Sequence, residues 1–339
     1  MPFSPKRTNN ATLADVAKAA GVATMTVSRY LNEHPNIYDK TARKVRAAID
    51  ALGYKPNHAA RMLMGQPSKV IGLILPNLAN QFFSSIAHVV QQTAFSHGYL
   101  LWIAASNDNP ASDMELIERM REYHVDGILI AASPQTTVTA DSLGELPVIA
   151  VDRPLRGTVV DFVTIDDRTA ARDAVTHLID HGYRRIAAMG LDSQIQSIRE
   201  RIGGYEEALR SRGLRPLPYA RCDDAEAALQ VVRKLTSGKQ PIDAIFPVNG
   251  DATLVVLEAM DNLGLTMPKP VALFSFGDMN AIRLIRPHVS AVLQPVSQMA
   301  EQATKMLLRQ IKTHSARTGI RISIPASLII RESCGCKGH

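Results

Sequence analysis

From about residue 70 onward, the chain alternates between short apolar runs and longer stretches with helical periodicity. Runs such as Val70–Leu75, Gly127–Ala131 and Val271–Phe276 are almost entirely apolar, as strands buried on both faces are. The stretches between them repeat apolar residues every three or four positions. This alternation predicts parallel sheets with right-handed helical crossovers, which is an α/β fold. It passes through two successive cycles, so we expect two similar lobes.

The two cycles divide the predicted core of residues 70–339 into two discontinuous lobes. We expect lobe 1 to contain residues 70–160 and 295–322, and lobe 2 to contain residues 161–294 and 323–333. Open parallel sheets bind ligands beyond the carboxyl ends of their strands. With two such lobes, the ligand site is expected in the cleft between them.

The positive charge of the chain is concentrated near its N-terminus. The formal net charge is +6, yet the first 69 residues contain eleven basic and only four acidic side chains. The remaining residues are therefore close to neutral overall. An asymmetry of this kind favours a polyanionic partner such as nucleic acid for the N-terminal segment.

Two short amphipathic stretches, separated by a glycine, lie within this basic segment. The first follows Thr12, whose spacing from Asp15 is that of a capping box, and it ends before Gly21. The second covers residues 24–31. Two short helices joined by a tight, glycine-containing turn form a helix-turn-helix, and we expect a third helix over residues 39–52 to pack against them.

The third helix is expected to turn Val45, Ile49 and Leu52 toward the first two helices. The predicted DNA-binding head is then residues 1–53, and residues 54–69 form a hinge helix and linker. A helix as short as this hinge is marginal in water by itself. We expect it to fold when it pairs with its copy on DNA, where an apolar side chain can enter the minor groove.

The exposed face of the second helix carries side chains that can read base edges. Thr24, Met25, Ser28 and Arg29 point away from its apolar stripe. An arginine can donate two hydrogen bonds to guanine, and a threonine or methionine can contact the methyl group of thymine. This helix is therefore predicted to lie in the major groove.

The N-terminal segment resembles the head and hinge of the lactose repressor (LacI/GalR) family. The resemblance rests on TLADVA at residues 12–17, AGV at 20–22, TVSR at 26–29 and GYKPN at 53–57. It implies a sequence-specific transcription regulator, a repressor of carbohydrate-metabolism genes, that binds double-stranded operator DNA as a homodimer. With the second helix included, the residues expected at DNA are Thr12, Thr24, Met25, Thr26, Ser28, Arg29, Asn32, Tyr54, Asn57, Ala60 and Leu63.

The long C-terminal part resembles the core of the same family, which is similar to periplasmic sugar-binding proteins. Its landmarks are IGLILPN at residues 71–77, VDRP at 151–154, RIGGY at 201–205 and IRES at 330–333. The resemblance implies a small effector (a sugar, a sugar phosphate or a sugar acid) that binds between the lobes and alters DNA binding by changing their angle. The residues expected to bind it are Asn80, Phe83, Asp152, Arg153, Ser197, Arg201, Asn249 and Asp278.

Two departures from the family pattern fall at predicted cleft positions. Gly250 and Gly277 stand where the family usually carries side chains that grip sugar hydroxyls. The pocket is therefore expected to be roomier or to present backbone N–H groups. Together with Arg201 and Arg153, such groups favour an acidic ligand. For Arg153, an ion pair at the surface or between the lobes is an equal alternative.

Two other classes of protein were weighed. An enzyme is not expected, because the sequence has no glycine-rich dinucleotide or phosphate loop, no nucleophile elbow and no zinc-protease motif. The adjacent acidic pairs Asp166-Asp167 and Asp223-Asp224 are not expected to face one site. A sugar-binding protein without gene regulation is the alternative function, and the basic head disfavours it. We expect no cofactor.

The sequence predicts a cytoplasmic protein with a reduced C-terminal tail. No apolar run is long enough to span a bilayer, and the first ten residues do not resemble a signal peptide. The three cysteines, Cys222, Cys334 and Cys336, are too few and too odd in number for a disulfide framework. The Cys-Gly-Cys pair has no evident partner ligands, so no metal site is expected and the tail should be frayed. No apolar heptad repeat follows Arg331, which favours a dimer over a tetramer.

Overall fold

The computed structural model describes residues 11–31, 37–54, 67–315 and 318–336. The chain forms two compact units, Met1–Ser68 and Lys69–His339. In the described residues the first unit is helical, and the second contains two sheets with helices around them.

Eleven helices and twelve strands lie in the described residues. The helices are α1 (Leu13–Ala20), α2 (Thr24–Leu31), α3 (Asp39–Leu52), α4 (Gln81–Ser96), α5 (Pro110–Glu122), α6 (Ala140–Leu143), α7 (Asp167–Asp180), α8 (Gln196–Ser211), α9 (Ala225–Thr236), α10 (Gly250–Asn262) and α11 (Val296–Thr313). The strands are β1 (Val70–Leu75), β2 (Leu100–Ala105), β3 (Gly127–Ile130), β4 (Val148–Val151), β5 (Asp161–Ile165), β6 (Ile186–Gly190), β7 (Ala220–Arg221), β8 (Ala244–Pro247), β9 (Ala272–Phe276), β10 (Ser290–Leu293), β11 (Arg321–Ile324) and β12 (Ser327–Ile329).

The first unit is a three-helix head whose local signals are confirmed. The Thr12 hydroxyl accepts a hydrogen bond from the Asp15 backbone at 3.2 Å, and the Asp15 carboxylate accepts one from the Thr12 backbone at 2.8 Å. This capping box starts α1, and Gly21 ends it with a left-handed φ of 65°. The Schellman-type turn at Gly21 leads directly into the short connection before α2.

The core of the head is small and differs at one position from the prediction. Val16, Val27 and Val45 are fully buried, so each helix contributes to it. Ala48 is buried as well, whereas Leu52 is 40% exposed. The inward orientation expected for Leu52 is therefore wrong. Its spacing of seven residues from Val45 keeps it on the same side of α3, but it is the last residue of the helix and stays 40% exposed there.

The sheet of lobe 1 has six parallel strands in the order β11-β5-β4-β3-β1-β2. The sheet of lobe 2 has the order β12-β10-β9-β8-β6-β7, in which β12 is antiparallel to β10. Helices cover both faces of each sheet, and the central strands are completely buried, as the apolar runs predict. The α/β fold with two lobes and a helix-turn-helix head is confirmed.

The predicted boundaries between the lobes are wrong at β5 and β11. Residues 161–165 and 323–324 are expected in lobe 2, but both strands belong to the sheet of lobe 1. β5 pairs with β4 and β11, so that Phe162 lies opposite Ala150 and Arg321 in the sheet of lobe 1. In the structure, lobe 1 contains residues 69–165 and 296–324, and lobe 2 contains residues 167–293 and 327–334. An apolar run shows that a strand is buried but not which sheet it joins, and here β5 follows β4 without a helical crossover.

The C-terminal segment is packed on lobe 2 as far as it is described. Cys334 is fully buried in the core of that lobe, and the backbone N–H of Ser333 donates to the His288 carbonyl at 2.9 Å. The frayed tail expected from the sequence is therefore wrong up to Cys336. Tertiary contacts with β9 and β10 hold a segment that has no regular secondary structure of its own beyond a short 3₁₀ turn.

No helix in the described ranges is both long and apolar enough to cross a membrane.

Candidate functional site

A cavity of about 260 Å³ lies between the two lobes, at the carboxyl ends of their strands. Its walls come from the segments that follow β1, β4, β6, β8 and β9, which is where open parallel sheets bind ligands. All eight side chains predicted to bind the effector line it: Asn80, Phe83, Asp152, Arg153, Ser197, Arg201, Asn249 and Asp278.

The lobe 1 wall contains a buried aspartate and arginine that follow β4 directly. Asp152 has a left-handed φ of 61° and is only 4% exposed, which turns its carboxylate toward the cleft. The Arg153 guanidinium pairs with Asp108 through Nη1, and its Nε lies 3.9 Å from a carboxylate oxygen of Asp152. The ring of Phe83 lies 5.4 Å from the guanidinium carbon. Arg153 therefore lines the cavity and forms an ion pair, but that pair is within lobe 1 and not between the lobes.

The lobe 2 wall is built around Arg201, whose guanidinium is enclosed by fixed partners. Its Nε donates to the Asp167 carboxylate at 2.8 Å, and its Nη1 donates to the Val248 carbonyl at 2.8 Å. The guanidinium carbon lies 3.9 Å from the centre of the Phe276 ring, as in a cation–π contact. Arg201 is thereby held rigidly at the edge of the cavity.

Asp167 is a site residue that the sequence analysis missed. Adjacent acids are not expected to face one site, and Asp166 and Asp167 indeed make different contacts. Asp166 caps α7 by accepting from the Thr169 backbone, whereas Asp167 is 3% exposed and pairs with Arg201. An acidic residue in the first turn of a helix, directly after a buried strand, was the available signal.

Burial shifts the pKa values of both cleft aspartates upward. Desolvation raises the pKa of Asp167 to about 7, although the Arg201 charge opposes it and the Asp152 charge reinforces it. Desolvation also raises the pKa of Asp152, against the opposing charges of Arg201 and Arg153. The two carboxylates and two guanidiniums therefore form one electrostatic group across the cleft.

Three polar atoms on the cavity walls are buried and have no hydrogen-bond partner among the described residues. They are one donor, Nε of Arg153, and two acceptors, Oδ1 of Asp152 and Oδ1 of Asn249. Buried polar atoms in native proteins are nearly always paired, so each such atom needs an explanation. A ligand with both acceptor and hydroxyl groups would supply the missing partners.

Neighbouring side chains lie close to both cleft glycines, so the lack of a side chain there does not by itself leave open space. A side chain at Gly250 would collide with the sulfur of Met279, and one at Gly277 would lie 3.2 Å from Oε1 of Gln294. The sequence gives the size of each residue but not which neighbour occupies the gap. Met279 and Gln294 both line the cavity instead.

Asp278 lines the cavity, but both its oxygens are already engaged. Oδ1 accepts from Arg331 at 2.8 Å, and Oδ2 accepts from Arg283 at 3.0 Å. Only 1% of its side chain is exposed. The C-terminal segment is thus joined to the cleft wall through Arg331.

Two hydrogen bonds connect the lobes at the cavity. The Asn80 side chain donates to the Asp251 carboxylate at 2.7 Å, and the Asn280 backbone donates to the Gln81 side chain at 3.1 Å. Asn80 also caps α4 by accepting from the Phe82 backbone. These bonds span residues about 170 to 200 apart in sequence, so only the fold could reveal them.

The head presents part of the predicted DNA-contacting set on one helix face. Thr24, Met25 and Arg29 are exposed on α2, and Met25 is 64% exposed although it is apolar. The remaining described members are Thr12 in the capping box, the half-buried Thr26 and Ser28, and Tyr54, which packs against the head core. Asn32, Asn57, Ala60 and Leu63 lie outside the described residues.

A helix-turn-helix head and a two-lobed core with a polar cleft in one chain define the class of ligand-responsive transcription regulators. Residues 12–57 match the family described as bacterial regulatory proteins of the lacI family. Residues 68–332 match the family of periplasmic binding proteins and the sugar-binding domain of the LacI family. The chain belongs to the LacI family.

Individual relatives agree over nearly the whole chain. The HTH-type transcriptional regulator PtxS of Pseudomonas plecoglossicida is 30% identical over 329 residues, covering 95% of each chain. A Lac repressor dimer bound to operator matches with a TM-score of 0.83 at 21% identity, covering 96% of this chain and 99% of that one. A complex of the transcriptional regulator CelR with cellobiose matches with a TM-score of 0.68 at 25% identity, covering 95% and 99%.

These matches distinguish a transcriptional regulator from a sugar-binding protein without gene regulation. The lacI head match supports a DNA-binding transcriptional regulator and does not support a sugar-binding protein without gene regulation. The relatives described above are regulators and not enzymes.

Proposed function

We propose that this chain is a dimeric operator-binding repressor of carbohydrate-metabolism genes, controlled by an acidic sugar derivative in the cleft. It would act by binding alone, without catalysis, in the cytoplasm where its DNA target lies. The solved relatives include a Lac repressor dimer on operator and a regulator with cellobiose, which supports the DNA, dimer and sugar parts of the proposal. The acidic part depends on the chemistry of this cleft.

The proposal of an acidic sugar derivative rests on three unpartnered polar atoms in residues that line the cavity. Nε of Arg153 needs an acceptor, and a carboxylate or phosphate oxygen is the strongest one available. Oδ1 of Asp152 and Oδ1 of Asn249 need donors, which sugar hydroxyls provide. A polyhydroxyl compound with one acidic group satisfies all three, and the ring of Phe83 offers it an apolar face.

Two helix N-termini at the cavity also favour an acidic group. α8 begins after Ile195 and α10 begins after Asn249, and no side-chain hydrogen bond caps either helix among the described residues. Both cap residues line the cavity. The first-turn N–H groups and the positive end of the helix dipole stabilise an anion there. The cavity volume of about 260 Å³ suits a ligand of monosaccharide size, since pockets for drug-sized ligands measure about 300–1,000 Å³.

The two inter-lobe hydrogen bonds give the effector a means of control. A ligand that bridges Arg153 on lobe 1 and Asn249 on lobe 2 adds to the Asn80–Asp251 bond and favours one angle between the lobes. The protein would exchange between two lobe angles, one that binds operator well and one that binds it poorly. The effector can shift this equilibrium only as far as its affinities for the two conformations differ. The proposal therefore predicts reciprocal coupling between effector and operator.

The DNA part is tested by operator affinity at fixed salt, with DNA from the promoter region of the protein's own gene. We expect R29A to lose discrimination at one base pair in each half-site, which costs about 1–3 kcal/mol. Arg43 is an exposed cation on α3, so R43A is the matched control and should weaken all sequences equally. An unchanged sequence preference in R29A would contradict the assignment of α2 as the recognition helix.

The effector part is tested by calorimetric titration with three forms of one hexose: the neutral sugar, its phosphate and its acid. We expect an acidic form to bind and to change operator affinity, whereas the neutral form binds at least ten-fold more weakly. Tight binding of the neutral sugar alone would overturn the acidic proposal and leave the repressor proposal standing.

A further inference from the structure

Four side chains with metal-binding atoms converge at the C-terminal end of α7, away from the cleft. His177 lies in the last turn of α7 and His181 follows the helix, while Cys334 and Cys336 come from the C-terminal segment. The Cys336 sulfur lies 3.0 Å from Nε2 of His181 and 3.6 Å from Nε2 of His177. The Cys334 sulfur lies 3.3 Å from the same His177 nitrogen.

These separations match those between ligands of one tetrahedral ion. Zinc binds sulfur at about 2.3 Å and nitrogen at about 2.0–2.1 Å, which places adjacent sulfur and nitrogen ligands roughly 3.6 Å apart. The ligand atoms of His177, His181 and Cys336 all lie within 4.8 Å of one another. Cys334 is not part of this group, although its sulfur lies 3.3 Å from Nε2 of His177, so it is a further thiol at the edge of the site.

We propose that His177, His181 and Cys336 form a structural site for a zinc-like divalent ion, with Cys334 as the neighbouring thiol beside His177. Thiolate and imidazole ligands select zinc over magnesium or calcium, which prefer oxygen ligands. The sequence analysis gave the two thiols no partners, because the histidines are more than 150 residues away. The fold of lobe 2 brings the two pairs together.

The surroundings orient these ligands as the shell around a metal site does. Nδ1 of His181 lies 2.8 Å from the His177 carbonyl, which leaves Nε2 as the nitrogen that faces Cys336. The Ser290 hydroxyl lies 3.1 Å from both the Cys334 sulfur and the Arg331 carbonyl, so its single hydrogen is shared between these two acceptors.

The short Cys-x-Cys spacing works because the residue between the thiols is a glycine. Gly335 has a left-handed φ of 90°, and a side chain there would lie 2.9 Å from the Tyr183 hydroxyl. Any larger residue would be strained and crowded at once. This conformation lets two cysteines that flank one residue approach the same imidazole.

The site is separate from the effector cleft but shares a helix with it. Asp167, which holds Arg201, is at the start of α7, and His181 is about 20 Å along the helix axis from it. The ion would join α7 to the C-terminal segment, whose Arg331 pairs with Asp278 at the cavity. Metal binding is thus expected to stabilise lobe 2 without contacting the effector.

The test uses the full chain, purified reduced and without chelators. We expect one zinc per chain by elemental mass spectrometry. After replacement by cobalt, we expect the absorption of tetrahedral cobalt with a thiolate charge-transfer band. H181Q and C336S should each weaken cobalt and zinc binding about 10-fold or more. His181 is exposed and Cys336 is half-buried, so their replacement leaves the core of lobe 2 intact.

H97Q is the matched control, because His97 also follows a helix and its Nδ1 lies 2.8 Å from the carbonyl of the residue four positions earlier. It should bind the metal like the parent protein, and circular dichroism checks that every variant is folded. Three results would each overturn the site. The first is that the reduced protein contains no bound metal, and the second is that the cobalt spectrum is unchanged in both H181Q and C336S. The third is that the purified protein contains a Cys334–Cys336 disulfide and still binds no metal after this disulfide is reduced.

Discussion

The two walls of the cleft each carry a buried arginine beside a buried aspartate, but the two pairs are satisfied to different degrees. On lobe 2, Arg201 is held by Asp167, by the Val248 carbonyl and by the Phe276 ring. On lobe 1, Arg153 has a side-chain partner in the half-exposed Asp108, and its Nε has no hydrogen-bond partner among the described residues.

This difference separates two roles for the same residue type. A buried guanidinium with fixed partners contributes to a stable wall, and its loss leaves a buried charge uncompensated. A buried guanidinium with an unpartnered N–H has a donor for which the protein supplies no acceptor, so a ligand atom can accept that hydrogen bond. We therefore infer that Arg201 shapes the cavity and that Arg153 binds the ligand.

The largest expected effect is on stability. R201A leaves Asp167 buried without its partner, and above pH 7, where Asp167 is ionised, such losses cost about 3–5 kcal/mol in free energy of unfolding. Denaturant unfolding followed by far-UV circular dichroism measures it. R153A is the control and should cost clearly less, because Asp108 is half exposed and solvent can hydrate it. Equal costs for the two variants would remove the distinction between the walls.

The next effect is on ligand affinity. R153A should weaken an acidic effector by about 1.5–3 kcal/mol, the usual value of a hydrogen bond to a charged group, which is roughly 10- to 150-fold. Isothermal titration calorimetry measures it. D108N is the matched control, because it removes the outer partner of Arg153 and keeps the guanidinium. If R153A bound the ligand with unchanged affinity, Arg153 would stabilise the cavity wall, as Arg201 does, and would not bind the ligand.

The most gradual effect, spread over about three pH units, is the dependence of stability on pH. Burial raises the pKa of Asp167 to about 7 in the folded chain from 3.8, so between these values the folded state holds a proton that the unfolded state has released. The free energy of unfolding therefore falls by about 1.4 kcal/mol per pH unit as pH rises through this window. D167N removes this contribution, and unfolding of both proteins from pH 4 to 7 should show the difference in slope. Parallel slopes would mean that Arg201 keeps Asp167 ionised throughout.

Much of the cleft could be predicted because its residues follow recognisable strands. Asp152 and Asn249 come just after buried apolar runs, and parallel sheets place such positions at one edge. Asp167 and Asp251 were missed because their partners are far away in sequence. The filling of the gaps beside Gly250 and Gly277 was also missed, since the packing of Met279 and Gln294 depends on the folded loops.

The features that the sequence by itself determined are those that depend on neighbouring residues. The helix starts and stops of the head, the buried strands, the fold class and the positive N-terminal segment all follow from residues within a few positions of one another. Their signals need no knowledge of distant contacts.

Only the tertiary structure decided which sheet β5 joins, which carboxylate supports Arg201 and which histidines meet the C-terminal cysteines. Each is a pairing across 30 to 160 residues. A side chain's type shows that it needs a partner when buried, but the identity of that partner depends on how the whole chain packs.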